Sequence, residues 1–120
     1  MIGMIAFATA VAALPVKAPV LISSVPSNGA VLAAGETELV WTFDQPMQSQ
    51  GHSITGRADL QPQFIGAPVF SKGKREFRQR MVLKPGRRYD IGVNSRSFRN
   101  FRSASGLPAR EQRIRFSTKP

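Results

Sequence analysis

Short apolar segments, separated by Gly, Pro, Ser and Asn, recur along this chain from Pro19 to Thr118. The separating residues suit turns: Gly and Asn tolerate positive φ, and Pro presets one backbone angle. No part of that span sustains an apolar period near 3.6, the signal an amphipathic helix would give. Alternating segments at this spacing predict an all-β, Ig-like Greek-key sandwich of about seven strands.

The individual strands follow from residue alternation. Val20 to Val25 predicts a first strand, closed by Pro26 and a Ser27-Asn28-Gly29 turn. Thr37 to Phe43 is the clearest, with Leu39, Trp41 and Phe43 on the core side of the pleat. Asp44-Gln45-Pro46 ends it, because proline cannot donate to a ladder. Gln48 to Pro62 is hard to read, with a short strand expected at His52 to Thr55. Phe64-Ile65 and Val69-Phe70 flank Gly66 and Pro68 and suggest a kinked edge, followed by a polar turn at Ser71 to Lys74. Phe77, Met81 and Leu83 share one face of the next strand, with Arg78 and Arg80 on the other. After a Pro85-Gly86 turn, Tyr89, Ile91 and Val93 point inward and Arg88 and Asp90 outward. Arg96 to Leu107 reads as a long loop, and Gln112 to Thr118 as the last strand, with Ile114 and Phe116 inward.

Residues 1–18 read MIGMIAFATAVAALPVKA. The apolar run from Ile2 to Leu14 is shorter than the roughly 20 residues of a membrane span and suits the core of a secretory signal. Small or aliphatic residues at Val16 and Ala18 place cleavage after Ala18, although no basic residue precedes the run. A membrane anchor and a buried strand are the alternatives. The expectation is a signal peptide at 1–18 and one domain at 19–120, periplasmic or extracellular, with no transmembrane span in the mature chain. Cysteine is absent, so there is no disulfide, thiolate metal site or thiol nucleophile.

The net charge of +10 is unevenly placed. Residues 19–71 hold one basic residue and four acidic ones; residues 72–120 hold fifteen basic and three acidic. A field of that sign attracts polyanions, or simply keeps an exported domain soluble. Arg78, Arg80, Arg88, Arg113 and Arg115 alternate outward on their strands and, if those strands are neighbours, form a basic stripe on one sheet. Like charges directly opposed destabilise a sheet, so such a stripe implies interleaved acids or a polyanionic partner. Arg96, Arg99 and Arg102 alternate with Phe98 and Phe101 in the long loop. Rings set among arginines suit stacking on single-stranded nucleic acid or a sugar-phosphate surface. Alternatively, both rings plug the open end of the sandwich and the arginines are solvated.

Nothing in the chain presents catalytic spacing. His52 is the sole histidine, in a Gly- and Ser-containing turn, and no Asp is placed behind it as in a triad. No paired carboxylates, metal-ligand spacing or phosphate-cradling glycine loop stands out. No enzyme activity and no cofactor are expected.

VPSNGAVL followed by LVWTFDQPM resembles the opening of bacterial Ig-like domains of the S-layer-associated type. LKPGRRYDIGVNS and FRNFRSASGLPAREQRIRFST are similar to the same family's Pro-Gly turn, Tyr-bearing strand and closing segment. The resemblance covers nearly all of residues 19–118. It implies a seven-stranded Greek-key sandwich that acts as an extracellular module without catalytic residues. The opening is also similar to periplasmic copper-resistance proteins of the C type, which bind copper through a first-residue His and an Asp-Gly-His-Pro-like loop. Here the mature chain would begin at Pro19, and the loop reads Ser103-Ala104-Ser105-Gly106-Leu107-Pro108. The imidazoles a type-two copper site needs are missing from both places, and Met47 with His52 makes too small a ligand set.

The functional expectation is an exported, non-catalytic binding or structural module. Its arginines at 78, 80, 88, 96, 99, 102, 113 and 115 would contact a protein partner or anionic envelope material. A nucleic-acid binder and a degenerate copper carrier are the alternatives.

Overall fold

The computed structural model describes residues 16–120, and the expected signal segment lies mostly outside them. Among the described residues eight strands form: β1 (Leu21–Val25), β2 (Val31–Leu32), β3 (Gly35–Phe43), β4 (Ile54–Thr55), β5 (Gln63–Ser71), β6 (Glu76–Leu83), β7 (Arg88–Val93) and β8 (Gln112–Thr118). A 3-10 turn covers Ala58–Leu60. Among the described residues no helix is long and apolar enough to cross a membrane.

The strands assemble as two four-stranded sheets, ordered β1-β3-β6-β5 and β2-β8-β7-β4. With β1, β3, β4, β5, β6, β7 and β8 lettered A to G, these orders are ABED facing GFC, the arrangement of immunoglobulin sandwiches. The eighth strand is β2, a two-residue continuation of the first that runs parallel to β8 (Val31 beside Ser117, Leu32 beside Thr118). All other pairings are antiparallel.

The alternating residues fill the space between the sheets. Leu39, Trp41 and Phe43 from β3, Phe77, Met81 and Leu83 from β6, and Tyr89, Ile91 and Val93 from β7 are all buried, with Ile114 and Phe116 from β8. Burying each large apolar side chain contributes about 1.5–3 kcal/mol. Phe77 and Phe101 meet edge-on at 4.9 Å, with Trp41 5.7 Å from Phe101 and Phe70 5.2 Å from Phe77. Tyr89 stacks on Phe116 nearer the other end, and its hydroxyl accepts the backbone N–H of Lys84 at 2.8 Å. That bond, from the second residue of β7 to the chain just upstream, matches the tyrosine corner of Ig-like sandwiches.

One core-facing position of β6 is polar. Gln79 lies between Phe77 and Met81 and is 3% exposed. The register of β5 against β6 shifts between Ile65 and Val69, around Gly66 and Pro68. The carboxamide nitrogen of Gln79 donates to the carbonyls of Ile65, Gly66 and Arg80, each at 3.1 Å. A buried amide is tolerated where the bulge leaves carbonyls in need of donors.

Candidate functional site

The sheet arginines do not form one stripe. Arg78 and Arg80 lie on the outer face of β6, while Arg88, Arg113 and Arg115 lie on β7 and β8 in the opposite sheet. Most of them meet carboxylates. Arg78 bridges Glu38 at 2.6 Å and Glu76 at 2.7 Å, and Arg80 pairs with Glu36. Asp90 receives both Arg113 at 2.8 Å and Arg115 at 3.2 Å. Interleaved acids are therefore what these faces contain, as one of the two sequence readings held. Arg88 alone of the five makes no ion pair among the described residues.

Titration reflects the pairing. Burial works to raise the Glu76 and Asp90 carboxyls, but their arginine partners outweigh it and hold both below the ordinary range. Hydrogen bonds to Glu38 and Glu76 raise the Arg78 guanidinium further. Partial desolvation lowers the His52 imidazole from its ordinary value. The ring lies 5.3 Å from Phe77 and 5.9 Å from Phe101.

Arg96, Arg99 and Arg102 belong to a different environment. The loops at residues 44–53, 72–75 and 94–111 gather at one end of the sandwich and are bonded to one another. The Met47 N–H donates to the Lys74 carbonyl, Gln48 to Arg102, and Ala104 to Pro46, each at 2.9 Å. The Arg75 guanidinium donates to the Asp44 carbonyl at 2.7 Å. Asn94, in left-handed conformation at φ 57° and 2% exposed, anchors the longest loop. Its nitrogen donates to the carbonyls of Phe101 (3.0 Å) and Ala109 (3.1 Å), and its oxygen accepts the Phe101 N–H (2.9 Å).

These three loops carry seven cations and two carboxylates, half of the chain's net charge. Lys74, Arg75, Arg96, Arg99, Arg102 and Arg110 form no ion pair among the described residues. The two rings of the long loop part company. Phe101 is fully buried and plugs the core, whereas Phe98 is 62% exposed between Arg96 and Arg99. A ring among unpaired cations on a loop end can stack on a planar or sugar-like surface while the cations meet anionic groups.

Sequence reading missed Asn94 and the grouping of Lys74, Arg75 and Arg110 with the loop arginines. No group of three or more His, Cys, Asp or Glu residues among those described could hold a metal. In comparisons with known proteins, no family model and no curated sequence matches the chain.

Proposed function

We propose that this chain is an exported, non-catalytic Ig-like module that binds anionic envelope material, or an acidic protein partner, through its cationic loop end. The resemblance to S-layer-associated Ig-like domains supports export and a binding role. The carrying observation is the contrast in pairing. The arginines on the sheets are mostly neutralised by carboxylates, while six cations at the loop end have none. Unneutralised charge held on mutually bonded loops attracts a polyanion at little ordering cost.

The test is retention of residues 19–120 on immobilised heparin and lipopolysaccharide across a salt series. Replacing Arg96, Arg99 and Arg102 with Ser is expected to lower the eluting salt concentration clearly, because exposed charge interactions are screened within about 8–10 Å at such ionic strengths. Replacing Arg78 and Arg80 with Ser is expected to change elution little. Equal loss in both variants, or no retention of the parent at physiological salt, would refute the loop-end reading. Phe98 between two arginines supports a second reading, single-stranded nucleic acid, which the same series checks with oligothymidine.

A further inference from the structure

A cleft of about 700 Å³ opens along the flank where the edges β4 and β5 face each other without hydrogen bonding. It is large enough for one or two small rings. Arg96, Arg99 and Arg102 do not line it, so it is distinct from the loop-end cations. Its lining contains no Asp, Glu or Lys.

Arg113 is its one charged group, and it is fixed in place. Nε and Nη2 lie 2.9 and 2.8 Å from Asp90 Oδ1, and Nη2 also donates to the Asp90 carbonyl at 3.2 Å. Two glycines seat the guanidinium. A Cβ at Gly92 would lie 2.8 Å from Nη1, and one at Gly56 would lie 2.8 Å from Nη2. Any larger residue at either position would displace the group. Nη1 takes no part in the pairing with Asp90. Because Asp90 is shared by Arg113 and Arg115, the cluster keeps one net positive charge.

The rest of the lining is neutral and oriented. Gln79 and Gln61 spend their carboxamide nitrogens on backbone carbonyls, which leaves each an oxygen to accept a ligand's hydroxyl hydrogen. The Asn100 carboxamide and the rings of His52, Phe64 and Phe98 complete the walls. Desolvation lowers the His52 pKa, which disfavours a second charge in the cleft.

We infer that this cleft binds one sugar residue bearing a single carboxylate, with the acid group on Arg113, hydroxyls on the glutamine oxygens and the apolar ring face on Phe98. The single fixed cation matches a monoanion, and hydroxyl-donating ligands match the acceptor oxygens. A phosphodiester chain would need more than one cation in the cleft. An added peptide strand would find β4 only two residues long and β5 interrupted at its bulge.

Methyl galacturonide, one sugar with one carboxylate, is the probe, titrated into the ¹⁵N-labelled domain and read at the Gln79 and Asn100 carboxamides and Arg113 Nε–H. Saturable shifts at all three are expected, with methyl galactoside, the same sugar without the carboxylate, binding at least about tenfold more weakly, as the loss of one charge-assisted hydrogen bond implies. Phe98→Ser and Arg113→Lys should each weaken methyl galacturonide binding by about tenfold. The Arg96/Arg99/Arg102→Ser variant should keep the cleft shifts, so this site stands or falls apart from the loop end. Phe98 is exposed, so its variant reports on binding even if the Arg113 variant misfolds. Shifts confined to loop residues, equal binding of methyl galactoside, stronger cleft binding of oligothymidine, or no shift at all would each overturn the assignment.

Discussion

On the sheet faces Arg78, Arg80, Arg113 and Arg115 each meet a carboxylate; at the loop end Arg96, Arg99, Arg102 and Arg110 meet none. The side chain is the same, and the backbone beneath it decides its fate. Strand pairing sets acids and arginines on one face at fixed spacing, as where Asp90 lies opposite Arg115 and Glu38 opposite Arg80. The loops have no such register, and their seven cations share only Asp44 and Glu111 as acidic neighbours in the same segments. Charge on the outer face of β6 is thus spent within the fold, and charge on the loops is available to a partner.

The contrast depends on the loops being held as firmly as the sheets, and Asn94 is where that can be broken. Its side chain makes three buried hydrogen bonds that close the segment from Phe101 to Ala109 against β7. Replacing it with Ala removes those bonds and leaves buried backbone groups without partners, at about 1 kcal/mol per bond. A left-handed φ of 57° adds a further cost to any residue other than Gly or Asn. Asn94→Ala is expected to destabilise the domain by about 3 kcal/mol, measured by urea unfolding. A loss below about 0.5 kcal/mol, the size of an ordinary surface change, would show that the loop end is not held by this clamp.

Much of the sandwich was legible because the core strands alternate cleanly. Leu39, Trp41 and Phe43 announce their strand, and so do Tyr89, Ile91 and Val93. β2 was not legible, since it is two residues long with an exposed Val31, too short for a period. The single basic stripe failed for a topological reason. Alternation shows that Arg80 and Arg88 point outward, but the chain crosses between sheets from β6 to β7, and no local pattern reports that crossing. The pairing of Arg78 with Glu38, 40 residues away, follows from β3 lying beside β6 in one sheet. Phe98 and Phe101 look alike in sequence, and only the Asn94 clamp, which bonds both backbone groups of Phe101, turns one inward. The cleft lies between two strand edges and has no sequence signature.

Acid separates the paired charges from the unpaired ones. Glu76 and Asp90 have folded pKa values below the ordinary range, because their arginine partners outweigh burial. A carboxyl depressed in this way contributes stability at pH above its unfolded value, and the contribution is lost as pH falls through the folded value. Stability should therefore decline as pH drops below about 4, where unfolded carboxyls begin to bind protons. Arg78→Gln should flatten this decline by releasing Glu76, while Arg99→Ser should leave its shape unchanged. Urea midpoints from pH 6 to pH 2 for the three proteins check this. An Arg99 variant as flattened as the Arg78 variant would mean that loop and sheet charges are coupled.

The smallest effect concerns the turn between β5 and β6, where Lys72, Gly73 and Lys74 all have positive φ, at 50°, 70° and 63°. For a residue with a Cβ the left-handed region costs about 1–2 kcal/mol, and glycine avoids that cost but loses more chain entropy on folding. Lys74→Gly is therefore expected to stabilise the domain by a net amount of about 0.5 kcal/mol. The same change removes an unpaired cation and should slightly lower retention on heparin. Both measurements on one variant sharpen the contrast: on β6, losing the paired Arg78 should cost stability and spare heparin binding, and here stability should rise as heparin binding falls. A Lys74→Gly protein that is less stable than its parent would mean the lysine makes a contact that outweighs its strained backbone.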